Sequence, residues 1–138
     1  MKTIQYSLSE IDSVAKQISQ EIKNVSIVAL TGSLGAGKTT LTGAVLRQLG
    51  VKEPVISPTF TYVNKYVTSD EKIIYHFDLY RLKNAQEFEQ LGFFEYFDQP
   101  NSIVFIEWPE ILLPFITKKV CNIAISSVDD QRRNVEIF

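Results

Sequence analysis

Residues 30–50 of the 138-residue chain read LTGSLGAGKTTLTGAVLRQLG. Within them, a glycine, four further residues, and then glycine, lysine and threonine span Gly32 to Thr39, which is the spacing of a phosphate-binding loop. The apolar run VSIVAL just before the loop predicts a strand that is buried on both faces. Apolar residues at helical intervals after the loop predict a helix that ends at Gly50.

Each residue type in this loop suits one part of a nucleotide's phosphate tail. Glycines at positions 32, 35 and 37 allow several backbone N–H groups to face one anionic group beside the positive end of the helix. Lys38 supplies a mobile charge for the β- and γ-phosphates, and the hydroxyl of Thr39 is placed to join the coordination shell of Mg²⁺. The loop therefore predicts a nucleotide site rather than a mere connecting turn.

Two other apolar segments end in a carboxylate. IIYHFD ends at Asp78, and SIVFIE ends at Glu107. Protein-bound Mg²⁺ is held by one or two carboxylates together with phosphates and waters. Either acid alone would also be satisfied by solvent at its strand end, but the pair beside a phosphate loop predicts a metal site.

The segment SPTFTY, residues 57–62, is the candidate for sensing the γ-phosphate. Ser57, Thr59 and Thr61 offer hydroxyl groups, although the two threonines would serve equally as ordinary strand formers. His76 is the only histidine, and we expect it to pack or hydrogen-bond within its strand rather than act as a base.

Composition narrows the class of protein. With 45% hydrophobic and 22% charged residues, the chain has the balance of one ordinary globular domain, which we expect to span residues 1–138. No apolar run approaches membrane-spanning length, so a cytoplasmic protein without membrane contact is expected. The net charge of −2 argues against a protein that grips nucleic acid by itself. The single cysteine, Cys121, excludes an internal disulfide.

Further periodic segments complete the expected layout. They are a capped helix in SLSEIDSVAKQISQEI, a hairpin of TYVNKYV and KIIYHFD, a short helix in AQEFEQL with a helical turn in FFEYF, and a terminal antiparallel pair of KVCNIAIS and RRNVEIF. Strands that alternate with helices and then follow one another predict an α/β fold, a mixed central β-sheet flanked by helices.

Five motifs in register also carry a family resemblance. They are GSLGAGKTT, SPTFTYVNKY, YHFDLYR, LGFFEYF and IVFIEWPE. In this order and spacing the chain resembles the bacterial TsaE family, small ATPases of tRNA threonylcarbamoyladenosine biosynthesis. The resemblance runs from Ser9 to about Pro114, with a weaker echo in RRNVEI. It implies a three-layer P-loop NTPase-like fold that binds ATP and Mg²⁺.

The resemblance also implies roles for individual residues. Lys38 and Asp78 would be catalytic, with Asp78 beside the metal and the hydrolytic water, and Thr39 and Glu107 would coordinate Mg²⁺. The residues expected around ATP are Ser9, Gly35, Ala36, Gly37, Lys38, Thr39, Thr40 and Thr59, with Ser13 near the adenine and Trp108 near the site or a partner surface.

The implied partners are TsaB and TsaD, through which the protein would reach tRNA only indirectly. The region after Pro114 is short, which leaves a C-terminal contribution to nucleotide or partner binding open.

Three other functions are weighed against this one. A small GTPase would need an Asn-Lys-x-Asp reader, whereas NKYV has Val67 in place of the acid and comes too early in the chain. A nucleotide kinase would need an arginine-rich lid, and the chain has only four scattered arginines. A nucleotide-gated interaction module with incidental hydrolysis would use the same loop, so the sequence leaves that alternative open.

Overall fold

Seven strands form one mixed sheet in the computed structural model, which describes residues 1–138. The strands are β1 (Lys2–Ser7), β2 (Ile27–Thr31), β3 (Val63–Val67), β4 (Ile73–Asp78), β5 (Ser102–Glu107), β6 (Val120–Ser127) and β7 (Arg132–Ile137). Their order in the sheet is β1-β7-β6-β2-β5-β4-β3. The four central strands are parallel, and antiparallel pairs close both edges, so the predicted mixed sheet is confirmed.

Three α-helices and three 3₁₀ turns connect the strands. They are α1 (Ile11–Glu21), α2 (Lys38–Gln48), α3 (Ala85–Gln90) and the turns Leu8–Glu10, Phe93–Asp98 and Leu113–Phe115. The predicted capping box is present, since the Glu10 carboxylate accepts the Ser7 N–H at 2.9 Å. The predicted cap of α3 is also present, since the Asn84 side chain accepts the Glu87 N–H at 3.0 Å.

The two faces of the sheet are covered differently. Helices α1 and α2 pack against each other and cover one face with mainly aliphatic side chains; we call this face the helical side. The short helix α3 and the turn Phe93–Asp98 cover the other face with aromatic rings, and we call it the aromatic side. The result is a three-layer α/β fold, as predicted. None of its helices is long and apolar enough to cross a bilayer.

Strand β1 was not among the predicted elements. It pairs antiparallel with β7, with Ser7 opposite Arg132. Only Ile4 and Tyr6 of its six residues turn inward, a pattern too short to stand out in the sequence. The strand matters for the site because it brings Tyr6 and the residues that follow it beside the phosphate loop.

Candidate functional site

The predicted phosphate loop links the end of β2 to the start of α2. Its first glycine, Gly32, passes so close to β6 that a Cβ atom there would lie 2.6 Å from the carbonyl oxygen of Ile125. Its last glycine, Gly37, has a φ of 102° immediately before α2, a conformation that side chains disfavour. These two positions explain why the loop needs glycine, and they leave the first turn of α2 open to an anion.

Lys38 folds back onto the loop. Its Nζ donates to the carbonyl oxygens of Gly32 at 2.6 Å and Ser33 at 3.0 Å, and it lies 4.0 Å from the ring centre of Trp108. The side chain is therefore buried with its charge satisfied by dipoles and an aromatic face.

The environment of Lys38 also affects its pKa. Burial lowers the pKa of Lys38 from its ordinary value, while the carboxylates of Glu107, Glu110 and Asp78 act in the opposite direction. A bound phosphate would add negative charge beside this ammonium group and so favour its charged form.

Asp78 and Glu107 lie side by side at one edge of the sheet. They are register partners at the carboxyl ends of the parallel strands β4 and β5, and both are buried. The Thr39 hydroxyl, in the first turn of α2, lies 2.9 Å from Oε1 and 3.0 Å from Oε2 of Glu107. The structure thus brings the two strand-ending acids and the loop threonine together, as the sequence predicted.

The segment SPTFTY reaches the same place. Ser57 Oγ donates to Asp78 Oδ2 at 2.8 Å and lies 2.9 Å from the hydroxyl of Thr59. The other carboxylate oxygen of Asp78 accepts the backbone N–H of Tyr80 at 3.0 Å. Thr61 makes no such contact, because its hydroxyl points to the Val63 carbonyl at 3.5 Å.

His76 was expected to pack or hydrogen-bond within its own strand rather than act as a base; its side chain is fully buried, so it does pack, but its hydrogen bond leads to another strand. Its Nε2 lies 2.6 Å from Oε2 of Glu107 on the neighbouring strand β5, and both side chains are buried. A weak signal was present in the sequence. His76 is two residues before Asp78, so the two side chains share one face of a strand that is otherwise apolar.

Two clefts meet at the phosphate loop, and they share Gly35, Gly37 and Thr40. The first, of about 490 Å³, is also lined by Tyr6, Ser7, Leu8, Ser9, Ile11, Ala36, Asp130, Gln131 and Arg133. The second, of about 430 Å³, is also lined by Leu34, Lys38, Thr39, Ser57, Thr59, Asp78, Tyr80, Glu107 and Trp108. The residues expected to bind ATP or Mg²⁺ or to act in catalysis line one cleft or the other, except Ser13, which lines neither and is exposed.

The C-terminal hairpin contributes to the first cleft, which the sequence had left open. Arg133 on β7 donates from Nε to the Ala36 carbonyl in the phosphate loop at 3.1 Å. Asp130 and Gln131, in the β6–β7 turn, line the same cleft. The two ends of the chain therefore enclose one side of the loop.

The donors in the second cleft suit Mg²⁺ bound together with phosphates. No group of three or more His, Cys, Asp or Glu side chains in the structure is placed to hold a metal ion by itself. The oxygens that line this cleft include the Thr39 hydroxyl and the carboxylates of Glu107 and Asp78. Mg²⁺ prefers oxygen ligands and commonly takes only one or two carboxylates beside phosphate oxygens, so this set fits.

Comparison with known proteins identifies the family. The family model described as "Threonylcarbamoyl adenosine biosynthesis protein TsaE" matches residues 5–135. The chain belongs to the TsaE family. It is thereby linked to tRNA threonylcarbamoyladenosine biosynthesis, as the resemblance implied.

Relatives of this TsaE-family protein are found in several bacteria. Proteins named "tRNA threonylcarbamoyladenosine biosynthesis protein TsaE" are 37% identical over 130 residues in Rickettsia felis and 38% over 129 residues in Aquifex aeolicus. These alignments cover 94% of this chain and 74% of the Rickettsia protein, and 91% of this chain and 86% of the Aquifex protein. A Haemophilus influenzae relative is 43% identical over 112 residues, covering 81% of this chain and 69% of its own.

A solved structure supports the same fold. The crystal structure of YdiB from Bacillus subtilis superimposes with a TM-score of 0.73 at 26% identity, covering 99% of this chain and 84% of YdiB. The three-layer architecture of this TsaE-family protein is therefore shared with an experimentally determined chain.

Proposed function

We propose that this TsaE-family protein binds ATP and hydrolyses it in a Mg²⁺-dependent reaction. In this proposal it acts with TsaB and TsaD, and hydrolysis resets the complex that installs N6-threonylcarbamoyladenosine on tRNAs reading codons that begin with A. The observation that carries the proposal is the continuous pair of clefts on either side of the phosphate loop, one ending at Lys38, Thr39, Asp78 and Glu107.

The two clefts suggest how the nucleotide lies. The base and ribose would occupy the first cleft, between Ser9 and the turn that carries Gln131. The phosphates would cross the loop along residues 35–40, where the amino end of α2 and its free N–H groups face an anion. The γ-phosphate would then reach the second cleft, where Lys38 is the nearest cation.

The second cleft contains groups that would take part in hydrolysis. Thr39 and Glu107 would hold Mg²⁺, and the bound ion would offset the charge that develops on the phosphate oxygens. Asp78, held by Ser57 and the Tyr80 N–H, would orient an attacking water. Lys38 would exchange its loop carbonyls for phosphate oxygens.

Calorimetric titration with ATP, with Mg²⁺ and with excess EDTA, tests the proposal. Wild type should bind Mg-ATP, and Lys38→Ala should abolish productive phosphate binding. Glu107→Ala should chiefly reduce metal-dependent turnover. Lys52→Ala removes an exposed lysine outside both clefts and serves as the matched control. Unchanged Mg-ATP affinity in the Lys38 variant would contradict the assignment of the loop.

The positions of the arginines bear on the nucleotide-kinase alternative. The lining of the second cleft contains no arginine, while Arg47 pairs with Asp12 at 3.5 Å and Arg132 pairs with Asp129 at 2.9 Å. A phosphoryl-transferring kinase usually clamps its substrate with such side chains, so this arrangement disfavours a kinase. Without an arginine in this cleft, we expect the protein to hydrolyse ATP slowly by itself and a partner to complete the site.

Phosphate release distinguishes an ATPase from a nucleotide-gated interaction module. It should be slow for the protein alone and faster when the TsaB–TsaD pair is added. If release stays undetectable in both settings while ATP binds, the interaction module is the correct reading.

A further inference from the structure

We propose that His76 is a positioning residue for the metal site: it fixes one carboxylate oxygen of Glu107 from beneath, so that the rest of the carboxylate is presented to Mg²⁺. The inference rests on the proposed function, because it concerns the Mg²⁺ of that same site. It assigns a task to a side chain that was expected from the sequence only to pack or hydrogen-bond within its strand.

The sheet register makes the contact possible. His76 on β4 lies opposite Phe105 on β5, and Asp78 lies opposite Glu107, so His76 and Glu107 are diagonal neighbours. Their side chains emerge on the same face because residues 76 and 78, like residues 105 and 107, are two positions apart. The 2.6 Å contact between Nε2 and Oε2 closes this diagonal.

The roles of the two ring nitrogens follow from their surroundings. An ionised carboxylate offers only acceptor atoms, so Nε2 carries the hydrogen and donates it to Glu107. A neutral ring with its hydrogen on Nε2 has none on Nδ1, which is buried here without any hydrogen-bond partner. The single polar contact of this buried ring is therefore the one to Glu107.

Packing alone does not account for a histidine at this position. Ile74, two residues earlier on the same face of β4, is fully buried and apolar. Another aliphatic side chain at position 76 would continue that pattern and leave no unpartnered buried nitrogen. The unpartnered nitrogen costs free energy, and the ring contacts a carboxylate of the proposed metal site. A role in orienting that carboxylate explains why histidine occupies this position.

Glu107 is held from a second direction by α2. The Thr39 hydroxyl, in donating its hydrogen to the carboxylate, keeps its own oxygen lone pairs available. With His76 on Oε2, the buried carboxylate has one contact from the neighbouring strand and one from the helix. Its orientation is thus set before any ligand arrives, and this is the preorganisation a metal site requires.

The test compares His76→Leu, which fills space without a donor, with His76→Gln, which keeps an N–H donor at similar reach. ATP affinity is measured by calorimetry in EDTA and across a series of Mg²⁺ concentrations. The measured quantity is the Mg²⁺ concentration that gives half of the full Mg²⁺-dependent change in ATP affinity. His76→Leu should raise this concentration by about tenfold or more, since residues that orient metal ligands have effects of about 10–100-fold on metal affinity. His76→Gln should stay within about threefold of wild type.

ATP affinity in EDTA should be unchanged in both variants, because His76 is not among the residues that line the phosphate clefts. An unshifted Mg²⁺ midpoint in His76→Leu would overturn the inference, and equal shifts in both variants would assign His76 to packing alone. If wild type binds ATP with no dependence on Mg²⁺, the proposed metal site fails and takes this inference with it. That outcome is recognised in wild type, before any variant is made.

A second measurement does not depend on the stability of a variant. Because His76 is the only histidine, a two-bond ¹H–¹⁵N correlation spectrum of labelled wild type shows this ring alone. We expect Nε2 to appear protonated and Nδ1 unprotonated, and the Nε2 signal should move when Mg²⁺ is added to the ATP complex. An unprotonated Nε2, or a Nε2 signal that Mg²⁺ leaves unmoved, would contradict the proposal.

Discussion

The two faces of strands β4 and β5 carry opposite kinds of side chain. On the helical side, residues 74, 76 and 78 of β4 are isoleucine, histidine and aspartate, and β5 ends at Glu107. On the aromatic side, the intervening residues Tyr75 and Phe77 meet the rings of α3 and the turn Phe93–Asp98. One alternating backbone thus separates a polar site from an apolar core by the thickness of a single strand.

This separation distinguishes residues that stabilise the fold from residues that form the candidate site. The aromatic side encloses no buried carboxylate, lysine or histidine, so its residues contribute by burial and ring contacts. The helical side keeps Lys38, His76, Asp78 and Glu107 buried together, at a cost in desolvation that packing elsewhere must offset. Substitutions on the two faces should therefore have opposite signatures.

The largest effect is expected on the aromatic side. Phe88→Ala removes a fully buried ring that lies 4.9 Å from Phe94 and 5.4 Å from Phe77, between ring centres. The free energy of unfolding should fall by about 3–5 kcal/mol, as is usual for a buried Phe→Ala change. ATP affinity of the folded protein should stay within about twofold, because α3 lies outside both clefts.

Urea unfolding followed by circular dichroism measures this change, and calorimetry at low temperature measures ATP binding. Phe115→Ala is the control, because Phe115 is 61% exposed and its removal should cost less than about 0.5 kcal/mol. If Phe88→Ala abolished ATP binding in a protein that is still folded, the functional separation of the two faces would be wrong.

The opposite signature is expected for Glu107→Gln. Gln keeps the size of the side chain and an acceptor for His76, but it removes the charge that the metal site uses. Turnover should fall by about a hundredfold or more, equivalent to about 2.7 kcal/mol in the barrier. The free energy of unfolding should change by less than about 1 kcal/mol or increase, since a desolvated charge is removed.

Phosphate release assays and urea unfolding on the same preparation check both halves of that expectation. Glu53→Gln, which neutralises an exposed acid outside both clefts, is the matched control. A Glu107 variant with wild-type turnover would remove Glu107 from the catalytic machinery.

A smaller effect is expected where SPTFTY touches the helical side. Ser57→Ala removes the 2.8 Å hydrogen bond to Asp78 that ties this segment to the site. Phe60, which is 82% exposed, offers chymotrypsin a cleavage point in the same segment. A loss of about 1 kcal/mol in local stability should raise the rate of cleavage about fivefold, because proteolysis follows the population of the open segment.

Limited chymotrypsin digestion measures that rate with and without Mg-ATP. Mg-ATP should slow cleavage of wild type if the segment responds to nucleotide. Thr61→Ala is the control within the segment, since the Thr61 hydroxyl makes only a 3.5 Å contact to the Val63 carbonyl. Equal cleavage rates for the two variants would show that the contact to Asp78 does not hold the segment.

The residues of the polar site were easier to predict from the sequence than the contacts that hold those residues in place. Asp78 and Glu107 could be placed together because both follow apolar runs, and parallel strands of this fold bring such ends to one edge. The loop around Lys38 could be placed because its glycine spacing is local. Both inferences need only short-range pattern and the order of the elements.

The rest depends on register, which the sequence does not specify. The partner of His76 is set by the pairing of β4 with β5, and a shift of one residue would turn His76 to the aromatic side. The contact of Arg133 with Ala36 likewise depends on how the terminal hairpin lies against the loop. Strand β1 was missed because its partner β7 lies at the other end of the chain.

The smallest effect concerns two exposed carboxylates, Glu10 and Asp129, which accept hydrogen bonds from the cleft-lining residues Ser7 and Gln131. Hydrogen bonds from the Ser7 backbone and side chain lower the pKa of Glu10 below its ordinary value of 4.5. The Gln131 backbone N–H, with further bonds from Arg132, lowers the pKa of Asp129 below 3.8. Because each pKa is lower in the folded state, the stability that each contributes is present above its ordinary pKa and is lost as pH falls through the folded value.

The midpoint of thermal unfolding, measured between about pH 6 and about pH 3, therefore tests whether acid sensitivity differs between the first cleft and the aromatic side. The double variant Glu10→Gln with Asp129→Asn keeps acceptor atoms but cannot be protonated, so its midpoint should fall less steeply with acid than that of wild type. Glu89→Gln neutralises an exposed acid on α3 at the aromatic side and should leave the wild-type slope in place. If Glu89→Gln flattened the slope as much as the double variant, acid sensitivity would belong to the whole surface rather than to the hydrogen bonds that border the first cleft.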